Sequence, residues 1–300
     1  MLKNLSVLCA CLVAASPNAA AAAQTQGVAV AAAQPATGQN VPVAGGRSLH
    51  VMVAQSEIKS DINVSNIAVA TGGGLLGGLI GAAVDSARAK KAEVLITPVR
   101  TGLVGLDTDA MAIETAKAAF ANAQWNTAAD FSKDSSPAGK SAYLDSTQNA
   151  ETAFVEYTYD LSPTFDALRV NESIQVAARN VPAANKPEKR LQPKYLVYSR
   201  NVVSVVLLPD ATKDKDANAA RWAADNGKLA RAALEQAFAR LRANTPRLLA
   251  MSAAEQDALT RDKANKWIMA NGYRGRPQSA ANGEALLWTG DGFVHIAPVN

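Results

Sequence analysis

Cysteine is nearly absent from the 300-residue chain. Its two cysteines, Cys9 and Cys11, lie close to the N-terminus. The rest of the chain therefore has no disulfide scaffold and no Cys-ligated zinc site. Histidine is as scarce, with only His50 and His295, which argues against a zinc hydrolase. Both fall in strand-like segments and read as sheet or core residues. The net charge is only +4, from 30 Lys+Arg against 26 Asp+Glu. That excess is too weak for a nucleic-acid footprint, so no nucleic-acid partner is expected. Neither a G-x-S-x-G nucleophile elbow nor an H-E-x-x-H helix occurs. No catalytic residue, cofactor or metal site is assigned. Alanine is abundant, at 62 residues. Setting alanine aside, roughly a quarter of the chain is still apolar, enough for a real core.

Met1–Asn4 is a short basic start, Leu5–Ala15 is apolar, and Ala19–Ala23 are small. This pattern predicts a secretory signal peptide over 1–23, cleaved near Ala23 and Gln24. A lipidated Cys11 is the alternative processing route. Residues 24–46 carry no charge and are rich in Ala, Gln, Gly, Pro, Val and Thr. They read as a flexible tether. Residues 47–92 follow as a strand plus a glycine segment, and 93–300 as an α+β domain continuous with the 47–58 strand. An exported protein of the periplasm or cell envelope is expected.

The glycine segment is the most unusual feature. Between Asp61 and Asp85 run 23 uncharged residues, with six glycines inside 72–81. They form two rows at spacing four: Gly73, Gly77, Gly81, and Gly74, Gly78, Ala82. On a helix both rows share one side, where a second helix could approach closely. Each glycine costs about 1 kcal/mol relative to alanine in a helix, so six cost about 5–6 kcal/mol. A helix over 67–84 therefore needs a packed partner or lipid. Its length would be about 27 Å, near the roughly 30 Å of a bilayer core. A helix buried in its own domain and a plain glycine loop are the alternatives. Gly72-x-Gly74-x-x-Gly77 also has the spacing of a dinucleotide fingerprint. The segment Val94–Val99, where the ribose-binding acid should stand, leads instead to Pro98 and Arg100.

Over about twenty residues the segment resembles the glycine zippers of bacterial envelope proteins, including surface-antigen-type lipoproteins. The resemblance implies a non-enzymatic envelope protein that associates with membrane, a partner helix or copies of itself. Its helix-packing residues would be Gly73, Gly74, Gly77, Gly78 and Gly81. The rival class is a soluble periplasmic enzyme or ligand-binding domain with the glycine helix buried inside it. Two basic groups read as candidate contacts to an anionic surface: Arg88, Lys90 and Lys91 after the glycines, and Lys186, Lys189 and Arg190 in the loop 185–194.

Elsewhere the pattern predicts an α+β fold with an antiparallel sheet and flanking helices. Alternation marks strands over 48–58, 153–161, 168–176 and 195–208, and Val155, Tyr157, Val203 and Val205 should be buried. Leu95, Val99, Leu103 and Leu106 predict a helix kinked at Pro98. Asp107 or Asp109 should cap a helix to Ala123, and residues 130–150 read as loop. A helix is expected over 216–243. Ser252 and Glu255 form a capping box for a helix to Ala270, closed by Asn271-Gly272. Thr289–Gly292 should turn a terminal hairpin.

Overall fold

Strand alternation and helix capping place most elements locally, and pairing across the chain assembles those of the described residues into one ten-stranded mixed sheet. The computed structural model describes residues 46–61, 75–121, 129–178, 196–262, 264–281 and 283–299. In chain order the elements are β1 (Arg47–Met52), β2 (Lys59–Ser60), α1 (Leu75–Leu103), α2 (Thr108–Phe120), β3 (Ala129–Ser132), α3 (Pro137–Ser146) and β4 (Glu151–Leu161). Then come β5 (Ala167–Ala178), β6 (Leu196–Leu207), α4 (Lys215–Ala250), α5 (Ala253–Arg261), β7 (Ile268–Ala270), β8 (Tyr273–Ala281), β9 (Glu284–Trp288) and β10 (Gly292–Pro298). The stretches read as signal peptide, 1–23, and as tether, 24–46, lie outside the described residues except for Gly46.

The sheet order is β3-β1-β4-β5-β6-β10-β9-β8-β7, with β2 beside β4. The meander β4-β5-β6 is antiparallel, as the alternation suggested. Four pairings are parallel: β1 with β3, β1 with β4, β2 with β4, and β6 with β10. The wholly antiparallel sheet is thus corrected to a mixed one. Parallel neighbours need a long crossover. Here α1, α2, β3 and α3 lie between β1 and β4, and α4 to β9 lie between β6 and β10.

One face of the sheet carries the main core. Leu49, Val51, Val155, Tyr157, Val170, Ile174, Val202 and Val206 pack with Ile96 and Val99 of α1, Phe120 of α2, and Trp222, Leu234 and Phe238 of α4. The opposite face is covered at two ends. Near β1, Met52 and Phe154 meet Tyr143 and Leu144 of α3. Near β10, Val205, Val294 and Ile296 meet Ala270 and Tyr273 of the β7–β8 hairpin. Val205 is buried as expected. Val203 is partly buried, because it lines the gap between these two covers.

Other expectations need local revision. Residues 130–150 are not loop but hold β3 and α3, the latter capped by Ser136 with Pro137 in its first turn. Asp107 caps α2 by accepting from Ala110 N. α1 passes through Pro98 as one helix. Pro98 is exposed, and the carbonyl that loses its donor, on exposed Val94, is on the solvent side. α4 contains the expected 216–243 helix but breaks at Asp225, Asn226 and Gly227, which all have positive φ. The Ser252–Glu255 capping box is present, yet its helix stops at Arg261 rather than Ala270. Asn271-Gly272 turns the β7–β8 hairpin, with φ of +46° and +82°. Positive φ at both central residues is what a two-residue hairpin requires, and Asn-Gly supplies it better than it closes a helix.

Candidate functional site

Gly77, Gly78 and Gly81 fall within α1, while Gly73 and Gly74 lie outside the described residues. α1 is a single helix of 29 residues, and its C-terminal half is docked. Ala92, Ile96 and Val99 are buried along one stripe. The Arg231 guanidinium donates to Gly102 O at 2.8 Å and to Val104 O at 2.6 Å. Those carbonyls end a helix, so a cation there also meets the negative pole of its dipole. Lys91 pairs with Asp216 at 3.2 Å. Gly102 and Gly227 meet eleven residues further along both helices, so α1 and the first part of α4 run parallel. Between the docked half and the glycine-bearing end, Arg88, Lys90 and Lys91 are exposed. Lys186, Lys189 and Arg190 lie outside the described residues. Among the described residues no helix is long and apolar enough to cross a membrane.

Two polar clefts flank the connection from β1 to β2. β1 holds β4 in a register of 104 residues, and β2 holds it in one of 101, so three residues are looped out. Gln55 closes the gap. Its Nε2 donates to Tyr159 O at 2.7 Å, and its Oε1 accepts from Tyr159 N at 3.2 Å. A side-chain amide thus replaces a missing rung of the ladder. On the core side, a cleft of about 510 Å³ is lined by Glu57, Glu93, Arg100, Thr101 and Thr108 among others. Arg100 pairs with Glu57 at 3.2 Å and with Glu93, and its Nε donates to Ile58 O at 2.9 Å.

The second cleft, about 560 Å³, opens on the other sheet face between the two covers. Its centre is Arg169, whose Nε donates to Asp160 at 2.6 Å and whose Nη2 pairs with Asp61 at 2.8 Å. Burial pushes the Asp160 carboxyl up, and the Arg169 charge beside it works the other way. Burial also raises the Tyr273 phenol, which overhangs the group. Lys59, Thr158 and Asn171 complete the lining. With both carboxylates on the guanidinium, Arg169 is committed to holding the cleft's shape. Part of this network is visible in the sequence. Asp160 and Arg169 stand directly opposite in a hairpin centred between Thr164 and Phe165, which pairs the facing strand ends Leu161 and Leu168. Asp61 arrives through the parallel β2 pairing, which no local pattern announces.

The deepest titratable group is Glu172 of β5, fully buried under α4. Tyr157 Oη donates to it at 2.6 Å and Thr245 Oγ1 donates to its other oxygen. Burial pushes the carboxyl up to about 7, against the opposing pull of these two hydroxyls. Both histidines lie in strands, His50 in β1 and His295 in β10. His50 is buried against the Tyr143 ring at 4.0 Å between centroids, and burial lowers its pKa. His295 lies half-buried below α4, its Nδ1 3.3 Å from Asn244 Nδ2. Asp214 is the N-cap of α4, and Asp216 lies in its first turn. Among the described residues no three His, Cys, Asp or Glu side chains are grouped as a metal would require.

No protein-family model, no curated protein and no solved structure matches this chain.

Proposed function

We propose that this chain is an exported, non-enzymatic component of the cell envelope, and that the glycine-bearing end of α1 packs against a second helix in another copy or in a membrane. The supporting observation is the continuity of α1. Gly77 and Gly81 stand one turn apart at one end of the same helix that Arg231 and Gly227 secure at the other. A load or partner at the glycine end is therefore coupled to the sheet without a flexible joint. Small residues one turn apart let two helix backbones come close, and that contact would offset the poor helix propensity of the segment.

Gly77→Leu tests the reading. Leucine improves intrinsic helix propensity by up to about 1 kcal/mol but separates the two backbones. The expected result is a lower crosslinked oligomer fraction, or release from membranes on carbonate washing, with an unchanged thermal melt. A second reading has the Arg169 cleft in its favour: a periplasmic ligand-binding domain with the glycine helix packed within it. Under that reading Gly77→Leu overpacks the fold and lowers the melt instead. If neither quantity moves, the zipper reading is wrong.

A further inference from the structure

The positive charge of this chain is unevenly placed. The sixteen residues Arg261–Arg276 hold five cations, Arg261, Lys263, Lys266, Arg274 and Arg276, against one acid, Asp262. That segment alone matches the +4 net charge of the whole protein. It builds the β7–β8 hairpin at one edge of the sheet.

Register sorts the hairpin into two faces. Ala270 pairs with Tyr273, and both pack inward with Val203, Val205 and Leu207. Ile268 pairs with Gly275, where a Cβ would stand 2.8 Å from Leu287 Cβ, so the hairpin sits close on β9. Met269 and Arg274 pair on the opposite, outward face. Met269 is 67% exposed and Ile268, at the strand edge, 40%. Trp267 lies between two guanidiniums, 5.6 Å from Arg274 and 5.2 Å from Arg276. Lys266, Arg274 and Arg261 are exposed. Arg261 is partly offset by Asp257 at 3.1 Å, and Asp262 accepts from Ala264 N at 2.8 Å.

The platform is held firmly. Arg276 is buried and donates to Asn265 O at 2.6 Å and to Thr260 O at 2.8 Å. Asn265 donates to Pro277 O at 2.5 Å, and Trp288 Nε1 donates to Thr260 Oγ1 at 3.0 Å. A small exposed apolar tip, one indole and a rim of cations on a rigid base have the chemistry of an interfacial anchor. Apolar side chains enter the headgroup boundary, an indole sits at the headgroup level, and cations meet anionic phosphates.

We propose that the outward face of the β7–β8 hairpin docks on an anionic phospholipid surface through Trp267, Met269 and Arg274, with the exposed Lys266 and Ile268 at its rim. Charge complementarity selects this occupant. A neutral protein strand would gain nothing from the cations, whereas an anionic bilayer engages them and the apolar tip together. The docking is independent of the glycine helix and uses neither group of basic residues that the sequence pattern singles out.

The test is co-sedimentation of the purified full-length protein with vesicles of phosphatidylglycerol and phosphatidylcholine, against phosphatidylcholine alone. Binding is expected only to the anionic vesicles, and to weaken as salt is raised. Lys266→Glu with Arg274→Glu should lower it at least tenfold. Met269→Asp should lower it as well. The blue shift of tryptophan emission on binding should vanish in Trp267→Phe. Thermal melts of these surface variants should match the parent, which separates lost docking from lost folding. Gly77→Leu should bind vesicles undiminished, so failure of the zipper reading and failure of this one are distinguishable. The proposal is overturned if the parent ignores anionic vesicles, if the hairpin variants bind as the parent does, or if binding is lost only in Lys186→Glu with Lys189→Glu and Arg190→Glu.

Discussion

Gly102 and Gly227 meet backbone to backbone. A Cβ on Gly102 would stand 2.7 Å from the Gly227 Cα and amide nitrogen, and a Cβ on Gly227 would stand 2.9 Å from the Gly102 main chain. The close helix approach that the glycine rows at 73–81 suggest is thus realised, among the described residues, at a different pair of glycines. It lies where the last turn of α1 crosses the break in α4. Gly102→Ala is expected to cost about 1–3 kcal/mol by overpacking. Gly227→Ala should cost about 1–2 kcal/mol more, because its φ of +70° also penalises a side chain. Denaturant midpoints at unchanged slope check this. Equal costs would show that packing alone decides the site.

Stability should fall with rising pH through the range where Glu172 titrates. Its carboxyl sits at about 7 in the folded protein against an ordinary 4.5. The folded state therefore holds a proton that the unfolded chain has released, and stability drops between those two values and levels off above. At 1.36 kcal/mol per unit the loss is about 3 kcal/mol. Glu172→Gln keeps an amide carbonyl for one hydroxyl and removes the titration. Its unfolding free energy should be flat across the window once the carboxylates on the surface are accounted for. A parent slope retained in the variant would place the titration elsewhere.

Gln55 is predicted to matter more than a loop glutamine should. Gln55→Ala strands the buried amide and carbonyl of Tyr159, at about 1–3 kcal/mol for an unsatisfied buried polar group. Gln55→Glu keeps the acceptor but loses the donor to Tyr159 O and adds a charge, so it should be at least as harmful. Hydrogen exchange at the Tyr159 amide reads the contact directly. Unchanged protection in Gln55→Ala would show that the β1–β2 connection re-pairs by main chain.

Two valines of β6 should respond differently to the same substitution. Val205 is 1% exposed beneath the β7–β8 hairpin, and Val205→Asp places an unpaired charge there, costing about 3–5 kcal/mol. Val203 lines the open Arg169 cleft and is half-buried. Val203→Asp should cost about 1 kcal/mol, the scale of a typical substitution. Thermal melts of the two variants side by side show how far the hairpin cover reaches along the face they share.

What the sequence determines by itself is local. The alternation over 153–161 and 168–176 marks β4 and β5 because a strand exposes its two faces at a period of two, whatever its neighbours are. Ser252 with Glu255 marks a helix start because both hydrogen bonds close within four residues. Leu286–Trp288 and Phe293–Ile296 mark the final hairpin because its turn is short. Tertiary structure decides the rest. The parallel placement of β1 between β3 and β4, and of β10 beside β6, depends on partners about 80 to 100 residues away, whose pairing rewards no local motif. Asn271-Gly272 can close a helix or turn a hairpin, and the neighbouring β9 selects the hairpin. The alternation over 168–176 puts Glu172 on the apolar side with Val170 and Ile174, but only the tertiary structure brings the Tyr157 and Thr245 hydroxyls to it. The same holds for the outward face of Trp267, Met269 and Arg274. Its residues are ordinary one by one, and only the register of β7 on β8 gathers them into one surface.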